Sequence, residues 1–183
     1  MRVVQTVLLL LCSVGATSVQ LAIVPANGSF TESVDALRNT MLKLSSEHKL
    51  TAASGKVFQY NYSVTEVSGN PSICIVTWKD RIDLGSLIQT RTVSVNTRSI
   101  QKVLAVSSIH SKMAVDPVIE IVQVHTYPDS PLATTTESFN PDGSTRGTPE
   151  TTQSSVASIF TNSEPEATAV IKRLTDVMTK CTP

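Results

Sequence analysis

Cysteines, histidines, carboxylate pairs and Asn-x-Ser triplets are the residues of this chain whose type and spacing bear on chemistry. Of the three cysteines, Cys12 falls inside an apolar N-terminal run, which leaves Cys74 and Cys181. In an oxidising compartment these two have each other as the only partner within one chain. Their bridge would close a loop of roughly 100 residues, which loop-closure entropy values at about 4.7 kcal/mol. Two buried thiols or a bridge between chains are the alternatives. Two ligands alone do not make a zinc site. Asn27-Gly28-Ser29 and Asn61-Tyr62-Ser63 have the form of N-glycan acceptors.

The histidines point away from metal or acid–base work. His48 follows the first helix in a polar stretch and is expected to be solvated. His110 and His125 fall near the ends of neighbouring strand candidates, without the spacing of a metal pair. The closest carboxylates, Asp80 with Asp83 and Asp116 with Glu120, read as turn or strand-edge charges in water. General acid–base catalysis needs a carboxylate in an apolar setting that raises its pKa. The chain has no nucleophile elbow, glycine-rich phosphate loop or helix-borne His pair with Glu. The expectation is a non-enzymatic protein with no catalytic residue, no metal and no cofactor.

The elements that would hold these residues begin after an export signal over 1–16. Arg2 supplies its charge, Val7 to Leu11 its apolar core and Val14-Gly15-Ala16 its cleavage site. A retained anchor is the alternative, although the apolar run is far short of the roughly 20 residues a spanning helix needs. Removing the signal takes one basic residue from a chain with 15 basic and 15 acidic side chains, leaving a charge near −1. Near-neutrality argues against a nucleic-acid partner, which demands a concentrated basic face. The mature protein is expected to be secreted, extracellular and free of the membrane.

Residues 17–127 read as a helix plus an antiparallel sheet. A capping box, Ser29 with Glu32, opens a helix over 29–44, and Phe30, Val34, Leu37, Met41 and Leu44 share one face. From residue 56 the period becomes two. Phe58, Tyr60, Tyr62 and Val64 point toward the helix, while Asn61 faces water. SGNPS at 68–72 reads as a turn, with Gly69 free to take positive φ. A second strand, 73–78, buries Cys74, Val76 and Trp78, and Lys79-Asp80-Arg81 follows as a charged turn. Further strands are expected at about 86–97, 100–109 and 117–126, although 100–109 could begin as a short helix.

Fourteen of the thirty-four residues in 128–161 are Ser or Thr and four are Pro. That composition reads as a flexible loop, because so little apolar area cannot offset the ordering entropy, and its Ser, Thr and Pro content makes O-glycosylation a hypothesis to test. Residues 162–183 form the C-terminal helix of the same domain, capped by Ser163 with Pro165 in its first turn. Its stripe of Ala167, Val170, Ile171, Leu174, Val177 and Met178 ends at Cys181, which can dock on Cys74. The fold expected is α+β: an antiparallel sheet of four or five strands with a helix packed across it and a disulfide-tethered C-terminal helix.

That order of elements over residues 27–80 resembles the cystatin superfamily. The family inhibits papain-like cysteine proteases with a wedge made of an N-terminal glycine strand, a Gln-x-Val-x-Gly hairpin and a Pro-Trp hairpin. Here Thr65-Glu66-Val67-Ser68-Gly69 keeps the valine and the glycine, and Gly28 precedes the helix. Thr65 stands at the glutamine position, and Thr77 precedes Trp78 where the family has proline. The resemblance implies a cystatin-like topology and a protease-contact hairpin at Val67 and Gly69.

Three functions follow as expectations. The first is a secreted glycoprotein acting as a structural or interaction component of an extracellular matrix or fluid, with a partner the sequence does not name. The second is a cystatin-like cysteine protease inhibitor. The third is a carrier of a small apolar ligand held against Phe58, Tyr60, Tyr62 and Val64.

Overall fold

The structure, a computed structural model, describes residues 28–51, 57–107, 114–116 and 119–181. The export segment, Asn27 and His110 lie outside the described residues.

The first helix, α1 (Phe30–Met41), is set by its cap. The Glu32 amide donates to Ser29 Oγ at 3.2 Å, and the Ser29 amide donates back to Glu32 Oε2 at 2.6 Å. Phe30, Val34, Leu37 and Met41 are buried along one face, and Leu44, just past the helix, returns to the core.

Ten strands follow among the described residues: β1 (Ser45–Thr51), β2 (Val57–Asn70), β3 (Ile75–Asp83), β4 (Ile88–Asn96), β5 (Ile100–Ser107), β6 (Ala114–Asp116), β7 (Glu120–Thr126), β8 (Leu132–Phe139), β9 (Glu150–Ser154) and β10 (Val156–Thr161). A single 3-10 turn (Thr97–Ser99) separates β4 from β5, and helix α2 (Glu164–Thr179) closes the chain. The strands form two antiparallel sheets, a large one ordered β6-β1-β2-β3-β4-β8-β9 and a small one ordered β10-β7-β5. Helix α1 lies on β2, while α2 packs on α1 and on the small sheet. One connected core joins Val64, Trp78, Val93 and Leu132 of the large sheet to Val122, Val124 and Ile159 of the small one and to Val170, Leu174 and Val177 of α2.

The α+β class, the antiparallel pairing and the tethered C-terminal helix agree with the sequence reading. Cys74 and Cys181 are bonded, with Cα atoms 5.8 Å apart across 107 residues of chain. The strand count does not agree, since the large sheet alone has seven strands. Residues 128–161 are not one loop: they form β8, β9 and β10, with a connection over 140–149 between β8 and β9. Threonine is β-branched and suits a pleated surface with one wet face. The cost of ordering it is met by ladder hydrogen bonds and a few anchors such as buried Leu132 and Ile159. The polar stretch after α1 is likewise a strand, β1.

Two local readings are corrected. Lys79-Asp80-Arg81 lies inside β3, because the alternation Val76, Trp78, Asp80, Ile82 continues unbroken on the buried face. Gly69 lies in β2 rather than in a positive-φ turn. The positive-φ residues described are Gly85, Gly143, Gly147 and Cys74. Gly69 is needed for closeness: a Cβ there would stand 2.7 Å from Val34 Cγ2 and 3.0 Å from the Phe30 ring.

Candidate functional site

Strand β2 carries an irregularity that shapes everything built on it. Val64 pairs with Asp80 and Glu66 with Lys79, so Thr65 is an extra residue on β2. Its hydroxyl donates to the Lys79 carbonyl at 3.2 Å. The bulge resets the inward phase from Tyr60, Tyr62 and Val64 to Val67. Both halves of the strand therefore bury their apolar residues, one under β10 and one under α1.

The inward side chains of β2, β3 and β4 meet the small sheet in a polar cluster. Asp80 on β3 and Arg91 on β4 are register partners. Arg91 Nε donates to Asp80 Oδ1 at 2.9 Å and Nη2 to Oδ2 at 2.8 Å, a bidentate pair. The Asp80 side chain is fully buried and that of Arg91 is 22 % exposed. The Tyr62 hydroxyl lies 3.4 Å from Asp80 Oδ2, and Arg91 Nη2 also donates to the Ser158 carbonyl on β10 at 3.4 Å. One guanidinium thus ties the two sheets together.

Aromatic rings surround this pair. Phe160 of β10 meets Tyr62 and Tyr60 edge to face, with ring centres 5.1 and 5.5 Å apart. The tyrosine face of β2 is therefore covered at this point by the second sheet, where the sequence had suggested α1. His48 of β1 is buried, not solvated, with its ring centre 6.3 Å from that of Tyr60. Neither of its ring nitrogens has a hydrogen-bond partner among the described residues.

The protonation states follow from burial. Desolvation raises the Asp80 carboxyl above its ordinary value against the pull of Arg91. Burial also raises the Tyr62 and Tyr60 hydroxyls, which stay protonated, and Tyr62 donates to Asp80. It lowers His48, whose imidazole is held toward the neutral form. Asp80 spends both oxygens on Arg91 and Tyr62, so the cluster acts as a clamp between the sheets.

No described element packs on the opposite face of the large sheet. Alternation places Glu47, Asn61 and Asp83 side by side on β1, β2 and β3, and Thr77, Ser94, Thr92, Thr135 and Thr151 further across. Thr77 and Ser94 share a hydrogen bond at 3.0 Å, and Thr135 and Thr151 share one at 2.9 Å. Lys79 reaches Glu137 at 4.0 Å over β4.

The remaining residues singled out in the sequence are dispersed. Asn61 is exposed on the open face, whereas Val67 is buried with its carbonyl accepting from Arg38 Nε at 2.7 Å. Gly69 lies against α1. The tip of the β2–β3 hairpin is formed by Pro71 to Cys74. Asp83 points to the open face beside Arg81, at 3.5 Å, and so does not approach Asp80 as a carboxylate pair. His125 of β7 stands 3.0 Å from Gln123 Oε1. Sequence reasoning missed the Asp80–Arg91–Tyr62 clamp, although the alternation through Trp78, Asp80 and Ile82 carried the signal. No group of three or more His, Cys, Asp or Glu side chains suited to a metal occurs among the described residues.

Comparison with known proteins finds no match: no family model, no curated protein and no solved structure aligns with the chain.

Proposed function

We propose that this protein is a secreted, non-enzymatic glycoprotein that serves as a structural or interaction component outside the cell, with the open face of the large sheet as its working surface. The observation that carries the reading is the placement of Asn61. Its side chain is exposed in mid-strand on the hydroxyl-rich face while Tyr62, in the same acceptor triplet, is buried on the other. A glycan at that position adds bulk to solvent and takes nothing from the core. The Cys74–Cys181 bridge suits an oxidising compartment. The most buried carboxylate is committed to holding the sheets together.

Expression of the full chain in a eukaryotic secretory host tests this. The expected result is protein in the medium whose intact mass falls on peptide-N-glycosidase treatment, and an Asn61→Gln variant that lacks one glycan. Retention inside the cell as unmodified chain would overturn it.

A second reading, a carrier of a small apolar ligand, is favoured by one observation: His48 is buried without a partner beside Tyr60. A ligand with a polar head would satisfy that imidazole. Native mass spectrometry of protein purified from the secretory host, showing no bound small molecule, would dispose of it.

A further inference from the structure

The two sheets have four edges, and three of them are blunted. β6 is three residues long. β5 carries Lys102 and a register shift between Ile100 and Lys102, and α2 packs against it. β10 abuts β1, with Asn162 Nδ2 donating to the Ser45 carbonyl across the junction at 2.9 Å. These are the usual devices that keep sheet edges from pairing. β9 has only the single charge of Glu150 at its start. Its five residues, Glu150-Thr151-Thr152-Gln153-Ser154, include no Pro, Lys or Gly and no register shift. They are exposed except for half-buried Ser154, and no described strand pairs with their outer side.

We infer that β9 is a self-association edge, on which two copies of the chain pair β9 to β9 in antiparallel register about Thr152. The strand is complementary to itself in that register. Thr152 faces its counterpart, Thr151 faces Gln153, and Glu150 faces Ser154. Threonine pairs and threonine–glutamine hydrogen bonds across strands are favourable, and the strand's one charge meets a hydroxyl. A shift of register by two residues toward the N-terminus would set Glu150 against Thr152, losing one hydroxyl pair and shortening the ladder. The two-fold arrangement is closed, as a symmetric dimer requires. It would join the two large sheets into one of fourteen strands and extend the hydroxyl-rich face across both. Asn61 on β2 lies four strand spacings from β9, about 19 Å, so a glycan there leaves the edge free. The inference depends on strand pairing alone and stands apart from whether Asn61 is modified.

The test is the solution mass of the full secreted chain by light scattering or sedimentation, over micromolar to millimolar concentration. Wild type is expected to form a dimer. Thr152→Lys and Thr152→Glu, each checked for native circular dichroism, are expected to be monomers, because like charges then oppose each other at the two-fold. An equimolar mixture of the two variants is expected to recover the dimer. A Thr152→Cys variant gives a second readout. Directly opposed antiparallel residues have Cα atoms about 4.5–5.5 Å apart, within disulfide range, so mild oxidation should yield a covalent dimer. A monomeric wild type would overturn the inference. So would a dimer that survives both charge variants, a variant mixture that stays monomeric, or a Thr152→Cys protein that fails to cross-link.

Discussion

Arg91 holds Asp80 through two hydrogen bonds of 2.9 and 2.8 Å at directly opposed positions of β4 and β3, and the same guanidinium reaches the Ser158 carbonyl of the other sheet. A charged pair inside the core therefore fixes how the two sheets face each other. Such a pair adds little net stability over an apolar one, but it is costly to break from one side.

Replacing Arg91 with Leu should accordingly destabilise the protein by about 3 kcal/mol, because it leaves the Asp80 carboxylate buried without its partner. Asp80→Leu with Arg91→Leu should cost distinctly less than the single change. Urea unfolding of wild type, the single variant and the double variant measures both numbers. A double variant no more stable than Arg91→Leu alone would show that the stranded Asp80 carboxylate is not the source of the loss.

His48 gives the stability a pH dependence whose sign is fixed by burial. Its pKa in the folded protein is lowered from the ordinary 6.5, so the unfolded chain binds the proton more readily. Stability from this residue is complete above about pH 6.5 and is lost as the pH falls through that value toward the folded pKa. A His48→Leu variant should show a flatter melting-temperature profile between about pH 7 and 5 than wild type. Parallel profiles would mean that the imidazole is not held neutral.

The disulfide is expected to matter through both its loop and its geometry. Cys74 has φ of +55° in the β2–β3 turn, and its carbonyl accepts from the Thr97 amide at 2.8 Å and the Thr97 hydroxyl at 3.1 Å. The bridge thus joins a turn in a sparsely populated backbone region to the end of α2. Changing both cysteines to Ser should cost about 2–5 kcal/mol, measured by thermal or urea unfolding. A loss below about 1 kcal/mol would show that packing of α2 alone holds the C-terminus.

Elements with an apolar period were legible in the sequence. The Ser29–Glu32 capping box marked α1, the Tyr60-Tyr62-Val64 alternation fixed which side of β2 is buried, and the stripe from Ala167 to Cys181 marked α2 and its tether to Cys74, although Cys74 lies in the β2–β3 turn and not in the strand where the sequence put it. β1, β8, β9 and β10 were not legible: the inward phase of β1 and β8 holds His48, Thr134 and Thr136, exposed β9 is polar throughout, and β10 has apolar residues at both phases in Val156, Ala157, Ile159 and Phe160, so none shows a period of its own. The Asp80 clamp was missed for a related reason. Lys79-Asp80-Arg81 reads as a charged turn by composition, yet the period of two running from Val76 to Ile82 places Asp80 inside. Where composition and alternation disagreed, alternation gave the observed burial.

Gly69 tests how α1 is seated on β2. A Cβ at this position would stand 2.7 Å from Val34 Cγ2, 3.0 Å from Phe30 Cε1 and 3.1 Å from Val34 Cγ1. Val34 and Phe30 are buried side chains of α1, so relief requires the helix itself to lift. Gly69→Ala should therefore destabilise by about 1–3 kcal/mol, the usual cost of overpacking a filled core. Adding Val34→Ala removes the closest clashing atoms while opening a small cavity of its own. The two losses should fall short of additive by about 1 kcal/mol, as expected for residues in direct contact. A double-mutant cycle by urea unfolding measures the coupling. If Gly69→Ala proves neutral or stabilising, α1 does not rest on the strand through this glycine, and the reading of Gly69 as the seat of the helix fails.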